Sequence, residues 1–263
     1  MLAAAAVFAT PGLAASRVSV SAQCNIYGAG HATAPNPGGA GSGLLPLLVS
    51  LPPGARAVRF TDAAGSVLYC GSCGPASGAD GALFGFSLDS FGGISGIVSS
   101  TRARHLSGVF LGEDEPIDPA PPRLVFNDYA FASLSPQLRQ GFYIGDGLTA
   151  TGSGATQVFI PPAGATRLFL GFYDSASTLP GWYDDNSGSI DISVAIETCP
   201  GDLNSDGFVD DADFQIFAAA YNILDCADPA MPAGCVADLN RDGFVDDMDF
   251  SVFSIAYDAL LCP

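Results

Sequence analysis

An aspartate-rich motif occurs twice near the C-terminus, with oxygen-bearing side chains at fixed positions of a twelve-residue loop. The first copy begins at Asp202 and the second at Asp238, which gives a period of 36 residues. Carboxylate, amide and carbonyl oxygens are the ligands that Ca²⁺ prefers, and this ion accepts about six to eight of them. The glycine at the sixth position, Gly207 or Gly243, permits the tight turn that such a loop needs. Two copies in register therefore predict two calcium sites.

The predicted ligands occupy the same six positions in each loop. Five positions supply side-chain oxygens, directly or through water, and the phenylalanine between them supplies its backbone carbonyl. In the first loop the ligands are Asp202, Asn204, Asp206, Phe208, Asp210 and Asp213. In the second loop they are Asp238, Asn240, Asp242, Phe244, Asp246 and Asp249. The alternative, two acidic turns without metal, leaves four aspartates crowded in each loop with nothing to offset their repulsion.

The net charge agrees with this interpretation and excludes several functions. The chain has 263 residues, with 27 acidic residues against nine arginines, no lysine and a formal charge of -18. Of these acids, 13 lie in residues 199–263, which contain one arginine. Nucleic-acid binding needs a basic surface, and Schiff-base and P-loop chemistry need a lysine, so these functions are excluded. The two histidines, His31 and His105, leave little for a zinc enzyme or a Ser/His/Asp hydrolase.

Each acidic loop leads into a predicted amphipathic helix. In the first helix, over about residues 211–223, aromatic and small residues at helical spacing form one apolar face, and the second helix repeats this pattern. The residues of the first face are Phe214, Phe217, Ala218 and Tyr221. Pro200 and Gly201 prevent a helix from entering the first loop.

Two loop–helix units resemble dockerin repeats when the twelfth loop position is aspartate and no helix enters the loop, as is the case here. They are most similar to the cysteine-flanked, dockerin-like tails of secreted bacterial proteins. The resemblance covers residues 199–263 and implies a small all-α domain that folds around calcium and docks onto a cohesin-like or cell-surface scaffold protein. Type I dockerins often carry a Ser-Thr pair near the loop end, where this chain has Asp211-Ala212 and Asp247-Met248. This departure leaves the partner open.

The cysteines that flank the two loops give a disulfide prediction. A helix over about residues 211–223 is roughly 18 Å long at about 1.5 Å per residue, which separates Cys199 from Cys226. A disulfide tolerates a Cα separation of at most about 7 Å, so this pair would need the chain to double back. If the two units pack antiparallel, the near pairs become Cys199–Cys262 and Cys226–Cys235.

The preceding region, residues 16–198, predicts a mainly β domain. It is rich in Gly, Ser, Thr and Pro, and short alternating apolar stretches are separated by turn residues without helical periodicity. This pattern predicts an antiparallel β-sandwich or jelly roll. The clearest predicted strands are 17–26, 57–61, 109–111, 157–160, 167–172 and 189–196. The longest apolar run, 44–51, contains Pro46 and is far too short to span a bilayer, so it also predicts a strand.

One loop of this domain combines oxygen ligands with aromatic side chains. Hairpin geometry brings Asp174, Asp185 and Asn186 together, where they could bind a cation, and the nearby Trp182 could stack on a sugar. A polar turn with a buried tryptophan explains these residues equally well. The order of strand, aspartate, loop and Asp-Asn-Ser-Gly turn is similar to that of PA-IL-like, galactose-binding calcium lectins.

The lectin resemblance implies a third calcium, whose coordination a sugar's hydroxyl groups complete. Carried over to this chain, it makes Asp174, Asp185 and Asn186 side-chain ligands. It also makes Trp182 and Tyr69 the donors of backbone carbonyls. The loop is longer here than in that family, and Asp185 replaces the first asparagine of the turn.

The N-terminus predicts secretion. Residues 2–9 are a short apolar run, and small residues near Ala14 and Ala15 are typical of a cleavage site, so residues 1–15 predict a signal peptide. No basic residue precedes the run, which leaves a truncated start or a buried N-terminal segment as alternatives. Seven cysteines and the calcium motif also indicate an extracellular protein.

Two further motifs are better explained by a structural role than by a catalytic or metal-binding role. The carboxylates of residues 113–115 could serve a glycosidase, but an acidic run before a proline is more typical of a solvated loop. Cys70 and Cys73 lack a second pair or histidine for a metal, which favours a structural disulfide that involves one of them, and the pairing of Cys24, Cys70 and Cys73 stays open. The sequence thus predicts a secreted, non-catalytic, calcium-dependent carbohydrate-binding protein anchored by its tail. The alternatives are a subunit of a glycoside-hydrolase complex and a structural surface protein.

Overall fold

The computed structural model describes residues 15–70, 74–204, 206–232 and 235–259. The predicted signal peptide, apart from Ala15, lies outside the described residues, as do Cys73 and Cys262. The chain is mainly β, with two α-helices near the C-terminus, as the sequence predicts. It divides into two compact units, of which the β-rich unit comprises Ser16–Pro52 and Arg56–Val194. The described residues from Ala195 onward belong to the C-terminal unit.

The described residues form sixteen strands. In chain order they are β1 (Ser16–Ser21), β2 (Leu47–Ser50), β3 (Ala55–Tyr69), β4 (Phe86–Ser87), β5 (Ile97–Ser99), β6 (Ser107–Leu111), β7 (Leu124–Phe126), β8 (Ser133–Leu134), β9 (Gly141–Tyr143), β10 (Leu148–Ala150), β11 (Ser153–Thr156), β12 (Val158–Phe159), β13 (Arg167–Gly171), β14 (Ser175–Ala176), β15 (Leu179–Pro180) and β16 (Asn186–Thr198). No helix of the described residues has the length and apolar character that crossing a membrane requires.

Two larger sheets carry most of the core of the β-rich unit. One has the strand order β1-β16-β3-β12-β8 and the other β2-β13-β6-β9. Most neighbouring strands are antiparallel, as predicted, with Val18 opposite Ile192 and Phe169 opposite Val109. However, β5 pairs with β7, and β8 with β12, in the parallel direction. Parallel neighbours need long crossover connections, which alternating hydrophobicity along one strand does not reveal.

Aromatic side chains from the two larger sheets contact one another. Phe142 on β9 and Phe159 on β12 approach to 5.5 Å between ring centroids, and Phe159 also meets Phe60 on β3 at 5.3 Å. All three rings are fully buried. Each such side chain contributes about 1.5–3 kcal/mol by leaving water.

The N-terminal strand ends earlier than predicted because a side chain caps the next turn. The prediction placed strand 17–26 here, whereas β1 stops at Ser21. Asn25 then begins a short 3-10 turn, Ile26–Gly28, and its Oδ1 atom accepts a hydrogen bond from the Tyr27 amide at 3.1 Å. Local capping by asparagine thus competes with strand extension.

The C-terminal unit contains two helices, α1 (Asp211–Tyr221) and α2 (Asp247–Ala259), each directly after an acidic loop. Asp210 caps α1, and Asp213 reciprocates by accepting a hydrogen bond from the Asp210 amide, which forms a capping box. The predicted end of the first helix, near residue 223, is close to the observed end. Leu224 then adopts a left-handed conformation, with φ of 71°.

The two helices run antiparallel and exchange equivalent contacts. The Tyr221 hydroxyl, at the end of α1, donates to Asp247 at the start of α2 at 2.5 Å. Tyr257 near the end of α2 likewise donates to Asp211 at the start of α1. Between these two hydrogen bonds, the buried ring of Phe217 stacks on the buried ring of Phe253, the equivalent residue of α2.

The cysteines agree with the antiparallel arrangement where they are described. The predicted Cys226–Cys235 disulfide is confirmed, with a Cα separation of 5.5 Å. Cys199 is also disulfide-bonded, but its predicted partner, Cys262, lies outside the described residues. Cys70 is disulfide-bonded as well, and Cys24 is a buried free thiol.

Candidate functional site

The first acidic loop brings three of its predicted ligands together. Carboxylate oxygens of Asp202, Asp206 and Asp213 lie within 4.8 Å of one another. Asp202 is held by the turn, because its two oxygens accept hydrogen bonds from the amides of Asp206, at 3.0 Å, and Gly207, at 2.9 Å. Gly207 has a φ of 94°, a conformation that costs other residues free energy.

Asp213 forms hydrogen bonds to both the beginning and the end of this loop. Its side chain is fully buried, and its Oδ1 atom accepts hydrogen bonds from the amides of Leu203, at 2.7 Å, and Asn204, at 3.0 Å. Its Oδ2 atom accepts from the amide of Asp210 at 3.0 Å. A buried carboxylate is stable only with such compensation, so the loop is built around this group.

The second loop repeats the same contacts 36 residues later. Asp249 is fully buried and accepts hydrogen bonds from the amides of Leu239, Asn240 and Asp246 at 2.7, 3.0 and 2.9 Å. Asp238 accepts from two further amides of its turn, at 3.2 and 2.9 Å. The duplicated hydrogen-bond pattern, and not the composition alone, makes the two loops equivalent.

The remaining predicted ligands occupy supporting positions. Asn204 donates to Asp206 at 3.0 Å, and Asn240 donates to Asp242 at 2.9 Å. The other four predicted ligands are the capping aspartates and the loop phenylalanines, Asp210, Asp246, Phe208 and Phe244. Both capping aspartates accept a helix amide at 2.8 Å, and both phenylalanine side chains are exposed. Each loop therefore presents a dense set of hard oxygen donors, which suits a divalent cation such as Ca²⁺.

In the β-rich unit, Asp174 and Asn186 meet as predicted. The Asn186 amide donates to Asp174 at 2.9 Å, and the Ser175 amide donates to the other carboxylate oxygen at 2.8 Å. Asn186 is 97% buried, but its Oδ1 atom has no hydrogen-bond partner among the described residues. An unsatisfied buried oxygen costs about 1–3 kcal/mol, which marks this position as one where a ligand would compensate.

Electrostatic neighbours surround the Asp174 carboxyl. Burial raises the pKa of Asp174 to about 6. The hydrogen bond from Asn186 and the charge of Arg104 oppose this rise, whereas the nearby charge of Asp185 adds to it. Arg104 is the residue that sequence reasoning missed, since no spacing relative to residues 174–186 points to it. Its guanidinium lies 4.6 Å from the centre of the Tyr69 ring.

Tyr69 and Trp182, the two predicted carbonyl donors, differ in their exposure. Tyr69 is buried, and its hydroxyl donates to the Arg104 carbonyl at 2.8 Å. Trp182 is 48% exposed, in contrast to the buried tryptophan of the alternative interpretation. Its backbone has a φ of 67°, and its amide donates to the Gly39 carbonyl at 3.0 Å. The loop therefore holds a large aromatic side chain toward solvent.

The acidic run at residues 113–115 is exposed in the structure. Glu115 lies 3.1 Å from the Nδ1 atom of His31, whose other ring nitrogen contacts the Gly92 carbonyl at 2.8 Å. These contacts tie loops together, in agreement with the solvated-loop interpretation.

No model of a known protein family and no curated protein matches this chain. The function must therefore be argued from the two acidic loops and the Asp174 site themselves.

Asp174 gives a pH-dependent prediction for the protein in chelator. Its carboxyl binds a proton more tightly in the folded state, with a pKa of about 6 against an ordinary value of 3.8. The stability of the β-rich unit should therefore fall as pH rises from about 4 to about 6, by up to about 3 kcal/mol. In Asp174→Asn this loss should vanish, because asparagine has no carboxyl group to titrate.

Denaturant unfolding at several pH values, followed by the fluorescence of Trp182, measures this effect. Asp185→Asn is the control, because this exposed neighbour should change the slope only slightly. An unchanged pH slope in Asp174→Asn would contradict the assignment.

Proposed function

We propose that the C-terminal unit is a dockerin-like module that binds two Ca²⁺ and anchors the chain to a partner. The observation that carries this proposal is the identical arrangement of hydrogen bonds around Asp213 and Asp249 in the two loops. An acidic turn that needed no metal would have no reason to repeat the whole oxygen pattern. The ions would occupy the space between the carboxylates and cancel their mutual repulsion.

Calcium is expected to be a folding partner of this unit. Residues 199–263 carry 13 acids against one arginine, a net charge of -12 that two Ca²⁺ reduce to about -8. At a free calcium concentration about a thousand times Kd, each ion stabilises the folded state by about 4 kcal/mol. Without the ions, loop repulsion acts directly on the small core that the two helices share.

Removal of calcium should therefore unfold the C-terminal unit while the β-rich unit remains folded. Circular dichroism of the full chain should lose its helical signal in chelator and regain it with calcium. The double variant Asp213→Asn/Asp249→Asn should stay unhelical at calcium concentrations that fold the wild type. Asp258→Asn, which removes a charge outside both loops, is the matched control. A helical signal that survives excess chelator would refute the proposed calcium dependence.

The helices offer a surface on which the anchoring partner could dock. Two apolar grooves lie side by side between α1 and α2, with volumes of about 370 and 200 Å³. Phe214 and Phe250 line both grooves, and each ring is 44% exposed. Asp247 borders one groove and Asp258 the other. This combination favours a cohesin-like or cell-surface scaffold protein with apolar side chains inside a basic rim.

Docking should depend on the two shared phenylalanines. In Phe214→Glu/Phe250→Glu, calcium-dependent retention of the full chain on cell envelopes should fall by at least about tenfold. Ile255→Glu is the control, since this exposed residue lies outside both grooves. Calcium titration of each variant separates lost docking from lost folding. Equal retention of the double variant and the control would place the docking surface elsewhere.

A second function, calcium-dependent carbohydrate binding, is our proposal for the β-rich unit. We take this unit as an antiparallel β-sandwich of the jelly-roll type, supported by the ring contacts between its two larger sheets. The specific observation in favour of sugar binding is the unpaired Asn186 oxygen beside Asp174, together with the exposed Trp182 in the segment between these two residues. A third Ca²⁺ held by Asp174, Asp185 and Asn186 would pair that oxygen and present open coordination positions to sugar hydroxyls. The Trp182 ring would cover an apolar sugar face.

A glycan array with and without calcium tests this second function. Calcium-dependent retention should disappear in Asp174→Ala and decrease in Trp182→Ala, which keeps the ligands but removes the stacking surface. Leu179→Ala, an exposed residue of the same loop, should bind normally. Calcium-independent binding, or retention by Asp174→Ala equal to wild type, would remove the site. The alternatives would then be a structural surface protein or a glycoside hydrolase-associated subunit of a polysaccharide-degrading complex.

The proposed place of action is outside the cell. Disulfides persist in oxidising compartments, and three of the described cysteine positions outside the β-rich core, Cys199, Cys226 and Cys235, are disulfide-bonded. Extracellular calcium is also abundant enough to fill sites of modest affinity.

A further inference from the structure

The Cys226–Cys235 disulfide joins the two chain segments that hold the second acidic loop. On one side, the Cys235 carbonyl accepts a hydrogen bond from the amide of Asp238, the first predicted ligand, at 3.0 Å. On the other side, the Cys226 amide donates to the Gly243 carbonyl at 3.1 Å. A single covalent bond thus connects the anchor of the first ligand to the anchor of the loop's tight turn.

The segment before Cys226 extends this anchor along the second half of the loop. The Leu224 carbonyl accepts a hydrogen bond from the Val245 amide at 2.7 Å, and Asp225 forms a β-bridge with Phe244. Phe244 is the predicted carbonyl ligand. The disulfide therefore restricts both the carboxylate and the carbonyl side of the same predicted calcium site.

The disulfide sulfurs also lie next to the site itself. The Sγ atom of Cys226 is 3.5 Å from a carboxylate oxygen of Asp238, and both sulfurs and that carboxylate lie within 4.8 Å of one another. Both cysteines are half-buried, so a small reductant can reach them. A change in the bonding of these sulfurs acts directly on the first ligand.

We propose that the Cys226–Cys235 disulfide controls the calcium affinity of the second loop through its redox state. The inference rests on the proposed calcium function. A dithiol reductant exchanges with the Sγ–Sγ bond, becomes a cyclic disulfide, and supplies the two electrons and two protons that leave Cys226 and Cys235 as thiols. The freed segments gain conformational entropy, so calcium must order more of the chain when it binds. Reduction therefore lowers the affinity of this loop by about tenfold or more.

Calcium titration of the full chain tests the proposal one loop at a time. Asp202→Asn/Asp206→Asn disables the first loop and leaves the second as the reporter. On this background, Cys226→Ser/Cys235→Ser should raise the calcium Kd by about tenfold or more, as measured by titration calorimetry. On the reverse background, with Asp238→Asn/Asp242→Asn, the same serine pair should leave the Kd of the first loop unchanged.

The outcomes separate this inference from the function on which it rests. If the disulfide-bonded parent binds no calcium, the proposed function fails and the redox control fails with it. If the parent binds calcium and the serine pair binds equally well, the redox control alone is overturned. A serine variant that does not fold is replaced by dithiol reduction of the calcium-loaded parent. The calcium Kd should then rise by about tenfold or more once Cys226 and Cys235 are alkylated, and an unchanged Kd after their alkylation overturns the proposal.

Discussion

A buried carboxylate at the last position of each acidic loop is the constraint on which the C-terminal unit depends. Removing such an ion from water costs several kcal/mol unless hydrogen bonds and opposite charge compensate it. Asp213 and Asp249 obtain three backbone amides each, and these amides belong to the beginning of the loop and to the helix cap. Satisfying the carboxylate therefore closes the loop and starts the helix in the same step. The amides carry only partial positive charges, so the proposed cation would compensate the remaining negative charge of each carboxylate.

The 36-residue repeat turns two weak helices into one folded unit. Helices of about three to four turns are marginal alone, and each repeat has one apolar face that it cannot bury by itself. The antiparallel arrangement solves this, because Phe217 and Phe253 stack on each other at 5.0 Å while Tyr221 and Tyr257 reach the opposite helix starts. The same symmetry leaves Phe214 and its counterpart half-exposed between two equivalent grooves. The shared core and the duplicated surface therefore both follow from the repeat.

The sequence predicts the C-terminal unit better than the β-rich unit because its interactions are local. Each loop and its helix lie within about twenty residues, so spacing predicts both, and antiparallel packing of the two units then predicts the Cys226–Cys235 pair. The β-rich unit combines distant segments, and its mainly β character follows from alternation, but its parallel pairs do not. Asn25 shows a second limit, since a single side-chain cap ended a strand that the apolar pattern extended. Arg104 joins the Asp174 site from another part of the chain, which no local pattern records.

The C-terminal loops and the Asp174 site compensate a buried carboxylate in different ways, and this difference affects which ligand each site would bind. The C-terminal loops place further carboxylates in the same turns as Asp213 and Asp249, and the proposed divalent cation would offset their mutual repulsion. At the other site, burial lets Asp174 hold a proton up to a pKa of about 6, and the charge of Arg104 already offsets part of its carboxylate. In the proposed calcium site, a cation must tolerate the nearby guanidinium, which weakens its binding. Under the two proposed functions, the C-terminal loops should therefore fill first as calcium rises, so that the proposed anchoring precedes the proposed contact with sugar.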